Sequence, residues 1–136
     1  MTATDGELLV SIVDGIAHVT LNRPQARNAL TFGMYEELAK LCALAGTADD
    51  ADHIKAIVIA GAGDKAFAAG TDIGQFTAFE STEDGLRYEA RVEAVISQIE
   101  SCHVPVIAAL HGAVTGGGLV IAAAAHVRIA LSLIHN

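Results

Sequence analysis

Apolar positions recur along this chain in two rhythms. Near the N-terminus, "ELLVSIVDGIAHVTLN" reads as two alternating runs around Asp14-Gly15. An Asp-Gly pair between such runs is a strong hairpin signal, because both turn residues must take a positive φ. Pro24 stops the second strand, since it has no N–H to give to a ladder, and "RPQARNAL" reads as a loop. The rhythm then changes. Thr31 can cap a helix through "TFGMYEELAKLCALAGTAD", with Met34, Leu38, Leu41 and Cys42 on one face. "IKAIVIAGAG" is apolar almost throughout, as in a buried strand of a parallel sheet.

"KAFAAGTDIGQF" predicts a short strand and a turn leading into a helical segment. Ser81 opens the next helix, with Asp84 at its third position and Tyr88, Val92, Val95, Ile96 and Ile99 facing inward. "VPVIAALHG" is a strand, "GLVIAAAAH" a helix and "VRIAL" a strand. Strands alternating with helices imply an α/β fold with crossover connections. "GTADDADH" reads as an ordinary acidic loop.

Composition narrows the picture. A length of 136 residues suits one domain. The chain is 52% hydrophobic but only 4% aromatic, so its core must be built from Ala, Val, Ile and Leu and reads as one completed by more protein. Eight basic against sixteen acidic residues, a formal charge of −8, disfavour a nucleic-acid partner, which needs a basic face. Cys42 and Cys102 read as buried reduced thiols, and without a CxxC or a His/Cys cluster no metal site is expected. "MTATDGELLV" lacks the basic and apolar regions of a signal peptide. The longest apolar run, "LVIAAAA", is far short of the roughly 20 residues of a membrane span. A cytoplasmic protein without membrane contact is expected.

Two segments share one physical design. In "AFAAGTDIGQF" and "ALHGAVTGGGLVIA" a strand ends at a glycine-bearing turn and a helix is expected to begin. The first N–H groups of a helix have no intrahelical partner and carry positive partial charge. Two such ends converging on one point would make an oxyanion hole, suited to a thioester carbonyl taking on enolate character. A dinucleotide site would instead want G-x-G-x-x-G after the first strand, whereas here the triple glycine comes late.

"VTLNRPQARNALT", "AFAAGTDIGQF" and "GAVTGGGLVIAAAAHVRIA", in this order and spacing, resemble the enoyl-CoA hydratase/isomerase (crotonase) family, from about Leu8 to Ala130. The resemblance implies a spiral of repeated strand–strand–helix units, assembled as trimers or hexamers. Residues 1–136 would be the N-terminal portion of one such domain, with its C-terminal half absent. It implies acyl-CoA thioester substrates in fatty-acid metabolism, with coenzyme A part of the substrate and no separate cofactor. By motif, the oxyanion donors fall on the N–H groups of Thr71 and Gly117. Backbone at Ala26, Arg27 and Ala29, with Ala69, Gly70, Asp72 and Ile73, would hold the adenine and pantetheine.

The sequence departs from the family pattern in three places. Hydratases of the family carry a Glu three residues after the middle glycine, where this chain has Val120, and their second Glu lies further along than Asn136. Hydratase, isomerase and dehydratase chemistry therefore stay open, with a catalytically inactive protein that at most binds CoA as the alternative. Gly74 stands where many relatives have a Lys that reaches the nucleotide, leaving Arg23, Arg27 and Lys65 as candidates, or as plain surface charge. The tail "LSLIHN" does not resemble the family's continuation. Asp72 also suits a cap or turn former, and His111 either shapes the pocket or is structural.

Overall fold

A computed structural model describes residues 6–71 and 82–132. The chain folds as successive strand–strand–helix units followed by one more strand. The first unit is β1 (Leu8–Val13), β2 (Ile16–Leu21) and α1 (Phe32–Leu44); the second is β3 (Ala56–Gly61), β4 (Ala66–Ala69) and α2 (Thr82–Glu100). The third is β5 (Val106–Leu110), β6 (Ala113–Thr115) and α3 (Gly117–Ala124), and β7 (Val127–Ala130) follows. This is the expected spiral of repeated units.

A five-stranded sheet runs in the order β1-β2-β3-β5-β7, antiparallel at β1–β2 and parallel across the rest. A second, two-stranded parallel sheet pairs β4 with β6. The first unit thus puts both strands into the large sheet, while the next two divide theirs between the sheets. Strand β6 is a correction to the sequence reading, which took Ala113–Thr115 as part of the glycine turn. Three residues between Gly112 and Gly116 are too few to show a period, and pairing with β4 is what makes them a strand.

Local chemistry sets the boundaries. The β1–β2 hairpin closes with Asp14 at φ 51° and Gly15 at φ 81°, so Val13 faces Ile16. Pro24 opens a short 3-10 turn, Pro24–Ala26, rather than a plain loop. Thr31 caps α1 as expected, its Oγ1 accepting from Met34 N–H at 3.2 Å. Thr31 Oγ1 in turn donates to Glu7 at 2.6 Å. The opening of α2 at Thr82 fits the expectation for Asp84, whereas Ser81 lies outside the described residues.

The large sheet has two unlike faces. Ala17, Val19, Leu21, Ile57, Ile59, Val106 and Ala108 are buried and form the core with Leu38, Cys42, Val95, Ile99 and Ile121 of the helices. On the opposite face the register lines up Ser11, His18, Val58, Ile107 and Val127 across the strands. That row runs from polar at β1–β2 to apolar at β7, where Val127 and Ile129 are about half exposed.

Smaller ties complete the frame. Asp50 is buried in the acidic loop and accepts from the N–H groups of Gly46, Ile54 and Asp52 at 3.0, 2.8 and 3.1 Å. These donors, Gly46 first, hold its carboxyl below the usual carboxylate range. The loop is therefore a folded corner and not the ordinary acidic loop expected. His126 Nδ1 accepts from Val106 N–H at 2.9 Å, which leaves the proton on Nε2 to meet Glu100 O at 3.1 Å. Arg128 donates to the carbonyls of Ala122, Ala123 and Ala125 at the end of α3, where a cation suits the helix dipole. Cys42 and Cys102 are free, and burial pushes the Cys42 thiol up to about 12.

Candidate active site

Strands β4 and β6 run parallel, with Ala69 opposite Thr115, and Gly70 N–H continues the pairing to Thr115 O at 2.8 Å. Thr71 and Gly117 each stand two residues beyond that matched pair. The two turns singled out in the sequence therefore leave adjacent strands in step and side by side.

The triple glycine is what lets them come so close. Gly116 takes φ 53°, and a Cβ there would sit 2.7 Å from Gly70 Cα. A Cβ on Gly117 would run into the Tyr35 hydroxyl and lie 2.7 Å from Thr71 Oγ1. One on Gly118 would strike the Ala68 carbonyl. Each glycine admits a different piece of the neighbouring strand and its turn. Gly117 is also the first residue of α3, so its N–H has no intrahelical acceptor.

A cavity of ≈ 500 Å³ opens at this junction, lined by Tyr35, Ala69, Gly70, Thr71, Tyr88, Val92, Gly116, Gly117 and Val120. Val120 of α3 thus borders this cavity, and among the described residues no carboxylate lines it. Two tyrosines border Thr71. Tyr35 of α1 shares a 2.9 Å hydrogen bond with Thr71 Oγ1, and Tyr88 of α2 donates to the same oxygen at 3.1 Å. Burial pushes the Tyr35 phenol up to about 12, so it stays protonated. Tyr88 packs its ring 5.3 Å from Phe32, which joins the two helices. Sequence reasoning placed Tyr88 in the core and missed Tyr35. A run of Tyr35, Leu38 and Cys42 at helical spacing would have suggested a second inward position.

The loop 23–30 meets the same turn from the other side. Arg27 O accepts from Ala69 N–H at 2.9 Å, and Leu30 N–H donates to Gly70 O at 3.1 Å. The described residues expected to hold the adenine and pantetheine, Ala26, Arg27 and Ala29 with Ala69 and Gly70, therefore lie on two segments joined by these bonds. Asp72, Ile73 and Gly74 lie outside the described residues. Asn28, missed in the sequence, organises this loop. It is fully buried at φ 58°, its amide donates to Ala62 O and Ala66 O at 2.9 Å each, and its Oδ1 accepts from Arg23 N–H at 2.9 Å.

Of the three cations named as phosphate candidates, Arg27 and Lys65 line a second pocket of ≈ 220 Å³ beside Asn28. Arg23 points inward, donating to Ala29 O at 2.6 Å and pairing with Glu7 at 3.7 Å, so it braces the loop. His111 is buried, its Nε2 has no hydrogen-bond partner among the described residues, and it does not line the cavity. Among the described residues no group of three or more His, Cys, Asp or Glu could hold a metal ion, and no helix is long and apolar enough to cross a membrane.

The profile of the enoyl-CoA hydratase/isomerase family matches residues 11–132. The chain belongs to the enoyl-CoA hydratase/isomerase family. Among its relatives, a short-chain-enoyl-CoA hydratase of Clostridium acetobutylicum is 35% identical over 117 residues, which is 86% of this chain and 43% of that protein. An enoyl-CoA hydratase/carnithine racemase from Magnetospirillum magneticum superposes with a TM-score of 0.82 at 32% identity, covering 95% of this chain and 47% of the other. An enoyl-CoA hydratase of Mycobacterium smegmatis gives 0.81 at 35% identity, with coverages of 93% and 48%. This family member thus spans about half the length of these relatives, and the family's fold accounts for both the repeated units and the paired turns.

Proposed function

We propose that this chain carries the thioester-binding half of an acyl-CoA enzyme that stabilises an enolate. The N–H groups of Thr71 and Gly117 hold the thioester oxygen. The backbone of Ala26, Arg27, Ala29, Ala69 and Gly70, continuing into Asp72 and Ile73, holds the coenzyme A portion. Coenzyme A enters with the substrate, and no separate cofactor is needed. The observation that carries this reading is the matched offset of Thr71 and Gly117 from the paired residues Ala69 and Thr115. It puts two backbone turns over one cavity, with one of the amides at a helix N-terminus. Lyase or isomerase chemistry on an acyl thioester in fatty-acid metabolism, by a cytoplasmic trimer or hexamer, is the setting in which such a site works.

The direct test is a ¹H–¹⁵N titration with butyryl-CoA, using coenzyme A alone as the control. The Thr71 and Gly117 amide protons should move downfield with butyryl-CoA only. If the thioester binds and neither amide responds, the assignment is wrong.

Among the described residues no carboxylate lines the cavity, which favours a second reading, in which the chain binds acyl-CoA without turnover. Assays with crotonyl-CoA and a 3-enoyl-CoA separate the two, since only the first reading predicts product.

A further inference from the structure

Two thiols that stand 60 positions apart in the sequence meet in the fold. Cys42 lies near the end of α1 and is buried. Cys102 is partly exposed and follows the end of α2, where its N–H donates to Ile99 O at 3.3 Å. The two side chains are close enough to share a hydrogen bond. The backbone around them is packed just as closely. A Cβ on Gly46, four residues beyond Cys42, would lie 3.2 Å from His103 Cβ and 2.8 Å from Val104 Cγ1. Cys42 belongs to the hydrophobic core, and Cys102 packs against that core. Among the described residues no group of three or more His, Cys, Asp or Glu could hold a metal ion, so the pair suits a sulfur–sulfur bond better than a structural metal site.

We propose that Cys42 and Cys102 are a redox pair that a peroxide closes into a disulfide, clipping the end of α1 to the end of α2. Cys102, the accessible thiol, reacts first. Its sulfur takes one oxygen from the peroxide, the O–O bond breaks, and the other oxygen leaves as water. The Cys42 sulfur then bonds to the Cys102 sulfur. The S–O bond breaks, and that oxygen leaves with the Cys42 proton as a second water. Two thiols are oxidised and one peroxide is reduced. Burial keeps Cys42 from meeting the oxidant and pushes its thiol up, which makes it the second thiol to act and not the first. Because Cys102 sits on irregular backbone just past α2, it can turn toward Cys42 without unwinding a helix. The two helices so joined carry Tyr35 and Tyr88 to the cavity, so the clip would hold both from their C-terminal ends.

Hydrogen peroxide added to the whole folded chain in equimolar amount tests this. Free thiols are then capped with a maleimide in urea, and peptides are mapped by mass without reductant. The expected product is a linked pair of peptides containing Cys42 and Cys102 from a single copy, two hydrogens lighter than their sum and separated by dithiothreitol. The same treatment in urea should close the bond more slowly, because unfolding parts the thiols. Cys102→Ser should leave Cys42 unoxidised, and oxidation of Cys42 in that variant would overturn Cys102 as the first to react. Cys42→Ser, with circular dichroism to confirm its fold, should let Cys102 pass on to the sulfinic acid. Three results in the parent would overturn the pair: a free Cys42 beside an unreacted or over-oxidised Cys102, a disulfide between two copies, or closure as fast in urea as in the folded chain.

Discussion

Replacing Asn28 with Ala should remove much of this chain's stability, although Asn28 does not line the larger cavity beside Thr71 and Gly117. The side chain is fully buried and makes three hydrogen bonds, two given to carbonyls and one received from Arg23 N–H. Each is worth about 1 kcal/mol net, and a buried partner left unsatisfied costs more. Asn28 also sits at φ 58°, directly after Arg27 at φ 50°. Asn tolerates that region, whereas Ala there adds roughly 1 kcal/mol. The sum is about 4 kcal/mol, a large fraction of the roughly 5–15 kcal/mol that keeps a domain folded. Urea unfolding followed by circular dichroism reads it directly. Asn28→Gly is the informative control, because it frees the backbone while losing the same three bonds, and should recover about 1 kcal/mol of the loss. Asn28→Asp should be no better than Ala, since it turns an amide donor toward two carbonyls as a second acceptor. An Asn28→Ala midpoint within experimental error of the parent would refute the claim that this residue organises the loop through Ala62 and Ala66.

Asp50 gives the chain an acid dependence. Its folded carboxyl is depressed below the unfolded one, so its contribution is complete above about pH 4 and is lost as pH falls through the folded value. Comparing urea midpoints at neutral and acid pH, Asp50→Asn should show a smaller drop than the parent. Cys42, buried and with its thiol pushed up to about 12, should stay unmodified by iodoacetamide at mildly alkaline pH until urea unfolds the chain, as peptide mass mapping would reveal. Gly117→Ala should destabilise the chain and abolish butyryl-CoA binding in calorimetry, because its methyl must displace the Tyr35 and Thr71 hydroxyls. With Val120 in the cavity wall, crotonyl-CoA hydration should be poor, measured as loss of enoyl-thioester absorbance; efficient hydration would mean that another group activates water. The half-exposed Val127 and Ile129 on the edge strand β7 should make the chain self-associate, visible as a concentration-dependent mass in light scattering.

The parts of the fold that showed in the sequence are those with short-range chemistry. Asp14-Gly15, the Thr31 cap and the glycine turns each announce themselves within a few residues, since their backbone requirements are local. What stayed hidden depends on partners distant in the chain. Strand β6 has no pattern of its own and exists through β4. The role of Asn28 lies in carbonyls 34 and 38 residues away. Tyr35 reads as one more residue of α1 until Thr71 is seen beside its hydroxyl. Arg23 looks like a surface cation because nothing nearby in sequence shows that Ala29 O turns back to meet it. The unlike faces of the large sheet were equally out of reach, because they emerge only when five strands are set in register.

The pairing of β4 with β6 has a consequence for how such a site can change. Neighbouring strands in any sheet stand about 4.8 Å apart. Two donors that leave such neighbours at equal offsets inherit roughly that gap, and an atom about 2.9 Å from each fits between them. The spacing of the proposed donors is then a lattice constant of the backbone, repeated by stacking one unit on the next. Side-chain replacement at a wall position such as Val120 can recolour the cavity without altering that gap. On the proposed reading, a lineage built on this frame can exchange its acids and bases and keep its two donors in place, because their spacing is written in the periodicity of the sheet.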